Sequence, residues 1–146
     1  MKKILIALAL CLVIVGLVAA PAFAATQKVD LTRFPGVKAG YATFTTDQGD
    51  RALVVGITVT NATAKTKYQV HLMTECGGNY TLGTLTTNSK GKWGGQNEQY
   101  QFEKVLSAGQ HTVSLVLMPI MPNGSPNPDS HYWITSPDVT FNITKN

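Results

Sequence analysis

Residues Arg51–Thr60 read RALVVGITVT, with Leu53, Val55, Ile57 and Val59 alternating against Ala52, Val54, Gly56 and Thr58. Successive side chains of an extended chain point to opposite faces, so this period of two predicts a strand with one predominantly apolar inner face. Before it, Gly40–Thr46 is rich in aromatic and β-branched residues, and Asp47–Asp50 (DQGD) is a compact turn signal. Together the two runs predict a hairpin.

The same pattern continues downstream. Lys67–Thr74 carries Tyr68, Val70 and Leu72 on one face and Gln69, His71 and Met73 on the other. Tyr80–Thr87 follows a glycine-bearing connection, and Asn88–Lys92 is a turn. Gln99–Leu106 brings Tyr100 and Phe102, and Thr112–Met118 has Val113, Leu115 and Leu117 in phase. Tyr132–Thr135 and Val139–Ile143 close the series, and a weaker strand is expected over Lys28–Thr32. Seven to nine short strands at roughly ten-residue spacing, with no amphipathic helix between them, predict an all-β antiparallel fold. A two-sheet β-sandwich is the expected form and a small barrel the alternative. Pro119, Pro122, Pro126 and Pro128 break the pattern between Met118 and His131. Prolines remove backbone donors and forbid a central strand there, so this stretch is a loop, either functional or a surface insertion.

The N-terminus of the 146-residue chain shows the marks of a secretory signal peptide. Lys2 and Lys3 precede an apolar run from Ile4 to Val18, and Ala22-Phe23-Ala24 offers small residues for cleavage. The run is shorter than the roughly 20 residues a spanning helix needs. Cleavage after residue 24 is expected to leave one domain, residues 25–146, secreted, in the periplasm or at the cell surface, with no transmembrane segment. Of the formal charge of +4, Lys2 and Lys3 contribute half, and the remaining charges are scattered singly. Nothing resembles the basic stripe of a nucleic-acid-binding surface. Cys11 leaves with the leader, so Cys76 is expected to be free, modified or paired between molecules, giving a monomer or a Cys76-linked dimer.

The repeated V-x-V-x-V-T strands, Tyr68-x-Val70-x-Leu72, and the stretch from Leu82 to Gly91 (LGTLTTNSKG) resemble immunoglobulin-like or fibronectin-type-III-like modules of exported prokaryotic proteins. The resemblance runs from Lys38 to Leu117 and departs from true immunoglobulin domains in lacking a cysteine pair around a core tryptophan. It implies a binding, spacer or surface module and carries no catalytic residues.

The spacing of the reactive side chains argues against a site. His71, Glu75 and Cys76 lie close in sequence, yet along an extended strand His71 and Cys76 are separated by roughly 15 Å at ~3.3 Å per residue. A carboxylate beside a thiol raises its pKa, so Glu75 is the wrong neighbour for a nucleophile. No H-x-H pair is present for zinc or copper, and a site from His71, His111, His131 and Cys76 would need distant segments to converge. Asp129-Ser130-His131 has the letters of a serine triad, but adjacent residues cannot form its geometry. Asp47, Asp50 and Asp129 lack the alternating oxygen ligands of a calcium loop. No cofactor, no metal and no enzymatic activity are expected. Trp93, Tyr132 and Trp133 are the candidate ligand-binding residues: exposed aromatics on a β-sandwich stack sugar rings or anchor a protein partner. The competing expectation for the tryptophans is that they cap the ends of the core. Asn61, Asn79, Asn123 and Asn142 begin N-x-[ST] sequons, which follow from an Asn- and Thr-rich composition. The expected role is therefore a non-enzymatic binding or structural module, with carbohydrate binding as the principal alternative and a metal- or cysteine-dependent protein as the second.

Overall fold

A computed structural model of the chain describes residues 26–47, 52–93, 100–105 and 107–143. The leader, Cys11, the tip of the 47–50 turn and the side-chain phase of Tyr100 and Phe102 lie outside the described residues. The strands are β1 (Thr26–Arg33), β2 (Val37–Asp47), β3 (Ala52–Val59), β4 (Lys67–Thr74), β5 (Asn79–Thr86), β6 (Tyr100–Val105), β7 (Gly109–Pro119), β8 (Ile134–Thr135) and β9 (Val139–Ile143). All pairings are antiparallel. They form one sheet in the order β5-β4-β7-β8-β1-β2-β3-β6, curled into a half-barrel, with β9 also on β7. Among the described residues no helix is long and apolar enough to cross a membrane.

The alternation predicted for β3 holds residue by residue: Leu53, Val55, Ile57 and Val59 are buried, and the residues between them face outward. Tyr68, Val70 and Leu72 of β4, Val113, Leu115 and Leu117 of β7, and Val139, Phe141 and Ile143 of β9 fill the same core. Phe44 of β2 meets Phe141 with ring centroids 6.0 Å apart. The outer faces carry hydroxyl pairs, Thr26 with Thr45 and Thr112 with Thr140, each at 3.1 Å. Cross-strand pairs of this kind each stabilise a sheet by a few tenths of a kcal/mol to about 1 kcal/mol.

Two short contacts hold the curl. At one side, β8 pairs with β7 through Val116–Thr135 and Leu117–Ile134, and with β1 through Thr32–Thr135 and Arg33–Ile134. Ile134 is fully enclosed. The reason β8 stops after two residues is local. Pro137 has no amide hydrogen to donate, so the edge facing β7 is interrupted between β8 and β9. Ser136 fills the gap: the Leu115 amide donates to its Oγ (2.8 Å), and its own amide donates to the Leu115 carbonyl (2.9 Å). At the other side, Trp93 pairs with Val59 at the end of β3, with amide-to-carbonyl distances of 2.9 and 2.8 Å in the two directions. Gly91 lies buried just before it with φ of +68°, and a Cβ there would strike the Ala62 carbonyl oxygen, so only glycine lets the chain pass.

The sequence expectation of one strand over Tyr132–Thr135 needs correction. Ser130–Tyr132 forms a single 3-10 turn, and the strand begins at Ile134. Asp129 caps that turn by accepting from the His131 amide, which pulls the backbone out of extended geometry before Trp133.

Because Ile134 is fully buried where β8 joins β7 to β1, Ile134→Ala is expected to lower the unfolding free energy by about 2–5 kcal/mol. Phe34→Ala, at an exposed turn, is expected to change it by less than about 0.5 kcal/mol. Urea denaturation of both variants beside the wild type provides the comparison.

Candidate functional site

One end of the sheet gathers the β1–β2 turn and the proline-rich loop between β7 and β8. The β1–β2 turn is Arg33-Phe34-Pro35-Gly36, with a cis Phe34–Pro35 peptide and the Gly36 amide on the Arg33 carbonyl at 2.7 Å. It leaves Phe34 63% exposed, with His131 packed edge-on at 4.5 Å between ring centroids.

The loop is built rather than draped. Its prolines remove donors, and short polar side chains and backbone carbonyls share the amides that remain. Asn123 Oδ1 accepts from the Ser125 amide, Asn127 Oδ1 from that of Asp129, and Asp129 Oδ1 from that of His131, each at 3.0 Å. These are local side-chain turns that Asn and Asp form two residues ahead of themselves. Backbone bonds tie the ends down, from Ile120 to the Lys67 carbonyl and from Asn127 to the Pro119 carbonyl, both 2.8 Å. The Trp133 indole N–H donates to the Asn127 carbonyl at 2.7 Å, pinning the returning arm to the loop.

Two clefts open on this end. The first, about 260 Å³, lies between the β1–β2 turn and the returning arm, with Arg33, Phe34, Ser130, Trp133 and Thr135 in its wall. The second, about 310 Å³, lies under the loop, with Ile120, Met121, Pro122 and Tyr132 against Thr63 and Thr66. The wall at Thr63 and Thr66 is held by buried Thr87, whose hydroxyl donates to the Thr63 carbonyl (2.6 Å) and accepts the Thr66 amide (3.0 Å). In the 3-10 turn, Asp129 Oδ1 also lies 2.8 Å from His131 Nδ1. The His131 amide first, and then its ring, hold the Asp129 carboxyl below its ordinary range.

The candidate ligand residues divide. Tyr132 is 61% exposed and Trp133 half-buried, and the two are adjacent at the clefts. Trp93 is in the core, only 9% exposed, because its pairing with Val59 turns the indole inward. Its burial fits the expectation that a tryptophan caps the core and takes it out of any solvent-facing aromatic surface. Phe34 and Arg33, which sequence reasoning passed over, complete that surface. The legible signal was an aromatic residue placed directly before Pro-Gly between two strand patterns.

The reactive side chains stay apart. His71 is buried, and its ring nitrogens bond to Asn79 (2.7 Å) and Gln69 (3.1 Å). The Asn79 contact is between strands β4 and β5, and both ring nitrogens are engaged. Cys76 is exposed and free in the β4–β5 turn, which the Thr74 side chain closes onto the Gly78 amide. His111 bonds to the Ser107 carbonyl. Among the described residues no three His, Cys, Asp or Glu side chains converge. The sequon residues Asn61, Asn79, Asn123 and Asn142 are all exposed. Comparison of the chain with protein-family models, curated proteins and solved structures finds no match.

Trp133→Phe keeps the ring and removes the N–H, leaving the Asn127 carbonyl without its donor. A stability loss of about 0.5–1.5 kcal/mol is expected in chemical denaturation. The folded pKa of Asp129 is depressed, so its contribution is complete above the unfolded value and is lost as the pH falls through the folded one. In an NMR titration the His131 amide is expected to shift with a midpoint below the usual aspartate value of about 3.9. A midpoint at or above that value contradicts the capping geometry.

Proposed function

We propose that the chain is an exported, non-enzymatic module of the immunoglobulin-like or fibronectin-type-III-like β-sandwich type that binds a ligand outside the cytoplasm. The pairing order supports the sandwich. Set aside the two-residue β8, and the strands fall into two groups, β6-β3-β2-β1 and β5-β4-β7-β9, both of which contribute residues to the core. Phe44 and Phe141 approach each other from the two groups. Export is supported by the basic, apolar and small-residue order of the first 24 residues.

The observation that carries the binding role is the pairing of two clefts with exposed aromatic rings on a loop whose backbone is fixed by side-chain turns. Large rigid rings beside a preformed cleft bind with little loss of conformational freedom. A saccharide is the favoured ligand. Tyr132 and Trp133 offer flat faces, and the clefts mix those faces with hydroxyls rather than forming one continuous apolar groove. A protein anchor is the second reading, favoured by the apolar Ile120, Met121 and Pro122 in the cleft beneath the loop.

Retention of the purified protein on a panel of insoluble polysaccharides separates these readings. The wild type is expected to bind at least one, and Tyr132→Ala to weaken that binding by about tenfold, or roughly 1.4 kcal/mol. Absence of retention on every polysaccharide, or full binding by Tyr132→Ala, contradicts the saccharide reading.

A further inference from the structure

The smaller cleft holds a cation without a counter-ion. Arg33 ends β1, and its guanidinium is always charged. Its Nε is shielded from solvent and has no hydrogen-bond partner. The described contact of the group is Nη2 to Asn61 Oδ1 at 3.5 Å, beyond the usual 2.7–3.2 Å range. Ion pairs among the described residues are Lys38 with Asp30 and His131 with Asp129, so no described carboxylate answers Arg33. Asp129, next in sequence to Ser130, has its Oδ1 engaged by both the amide and the ring of His131.

Hydroxyls complete the wall. Thr32, Ser130 and Thr135 also line the cleft, and none has a protein partner for its side-chain oxygen among the described residues. Phe34 and Trp133 supply the apolar sides. A buried donor such as the Arg33 Nε is normally paired within the fold or by ordered water, whereas the half-buried Thr32 and Thr135 and the exposed Ser130 keep their hydroxyls open to solvent or a ligand. An unanswered guanidinium, free hydroxyls and two aromatic rings around about 260 Å³ therefore specify a composition. The volume is just below the usual lower bound for small-molecule sites, about 300 Å³, which suits one ring-sized group.

We infer that this cleft binds a carboxylate carried on a hydroxylated ring, that is, a uronic acid unit of an acidic saccharide, with Arg33 as the carboxylate receptor. The inference rests on the saccharide reading and narrows it. A guanidinium presents parallel N–H groups that match the two oxygens of a carboxylate, and such forked, charge-assisted bonds are the strong ones. One cation suits a singly charged acid. The hydroxyls of Thr32, Ser130 and Thr135 meet ring hydroxyls, while Phe34 and Trp133 pack against the ring faces.

The test is a titration of the purified protein with D-glucuronate, D-glucose and benzoate, following the Trp133 indole N–H resonance by NMR. Arg33→Met and Arg33→Lys are titrated in parallel, with thermal unfolding to confirm that each is folded. Glucuronate is expected to bind at least tenfold more tightly than glucose or benzoate and to move the Trp133 signal. Arg33→Met is expected to reduce glucuronate to the glucose level. Arg33→Lys, which keeps the charge and loses the fork, is expected to fall between, and it carries the test should Arg33→Met fail to fold. Equal binding of glucose and glucuronate overturns the carboxylate assignment and leaves the saccharide reading standing. Benzoate binding as tightly as glucuronate overturns the hydroxylated ring. Failure of both sugars to bind, alongside failure of retention on every polysaccharide, overturns the inference together with the reading beneath it.

Discussion

The arrangement of this protein turns on a strand of two residues. Ile134 and Thr135 pair with β7 on one side and β1 on the other. Without that contact, β1–β2–β3–β6 and β5–β4–β7–β9 share no ladder between named strands, and among the described residues the Val59–Trp93 bridge and the Gln27 side chain donating to the Thr140 carbonyl are further links. Burial of the Ile134 side chain, worth roughly 1.5–3 kcal/mol, helps to offset the ordering of the loop that precedes it. The same pairing aligns Arg33 with Ile134, so the end of β1 and the residue next to Trp133 lie side by side. The cleft is thus a direct consequence of the ladder.

Proline has two opposite effects in this region. Pro137 ends the β8 ladder by removing a donor, and the Ser136 hydroxyl takes over as acceptor for β7. In the loop above, Pro122, Pro126 and Pro128 reduce the number of amides needing partners, and Asn123, Asn127 and Asp129 satisfy amides that remain. The result is a long connection with its own internal bonding, which can hold Tyr132 exposed without collapsing onto the sheet. That rigid support under exposed rings is the feature on which the proposed binding role rests.

The long strands were legible because each buries one face over several residues, as β3, β4 and β9 show. Period two is strong evidence only when it repeats, so β8 at two residues could not announce itself. Trp93 illustrates the other gap. A tryptophan among glycines reads equally as a surface ring or a core cap, and its pairing with Val59, a residue distant in sequence, decides the matter. His71 is similar: its place on the outer strand face was readable, but its burial depends on Asn79 and Gln69 lying beside it. Arg33 and Phe34 were invisible as site residues because their chemistry arises from a neighbour about a hundred residues away. Local pattern reveals which face a residue takes, and only the fold reveals what it meets there.

The most direct test of this account is a measurement of the β1–β8–β7 ladder in solution. Nuclear Overhauser contacts across the antiparallel pairs Thr32–Thr135, Arg33–Ile134 and Leu117–Ile134, with slow hydrogen exchange at their bonded amides, are the predicted result. Absence of those contacts while the β3 and β4 pairings persist would contradict it, since Arg33 and Trp133 would then have no common wall.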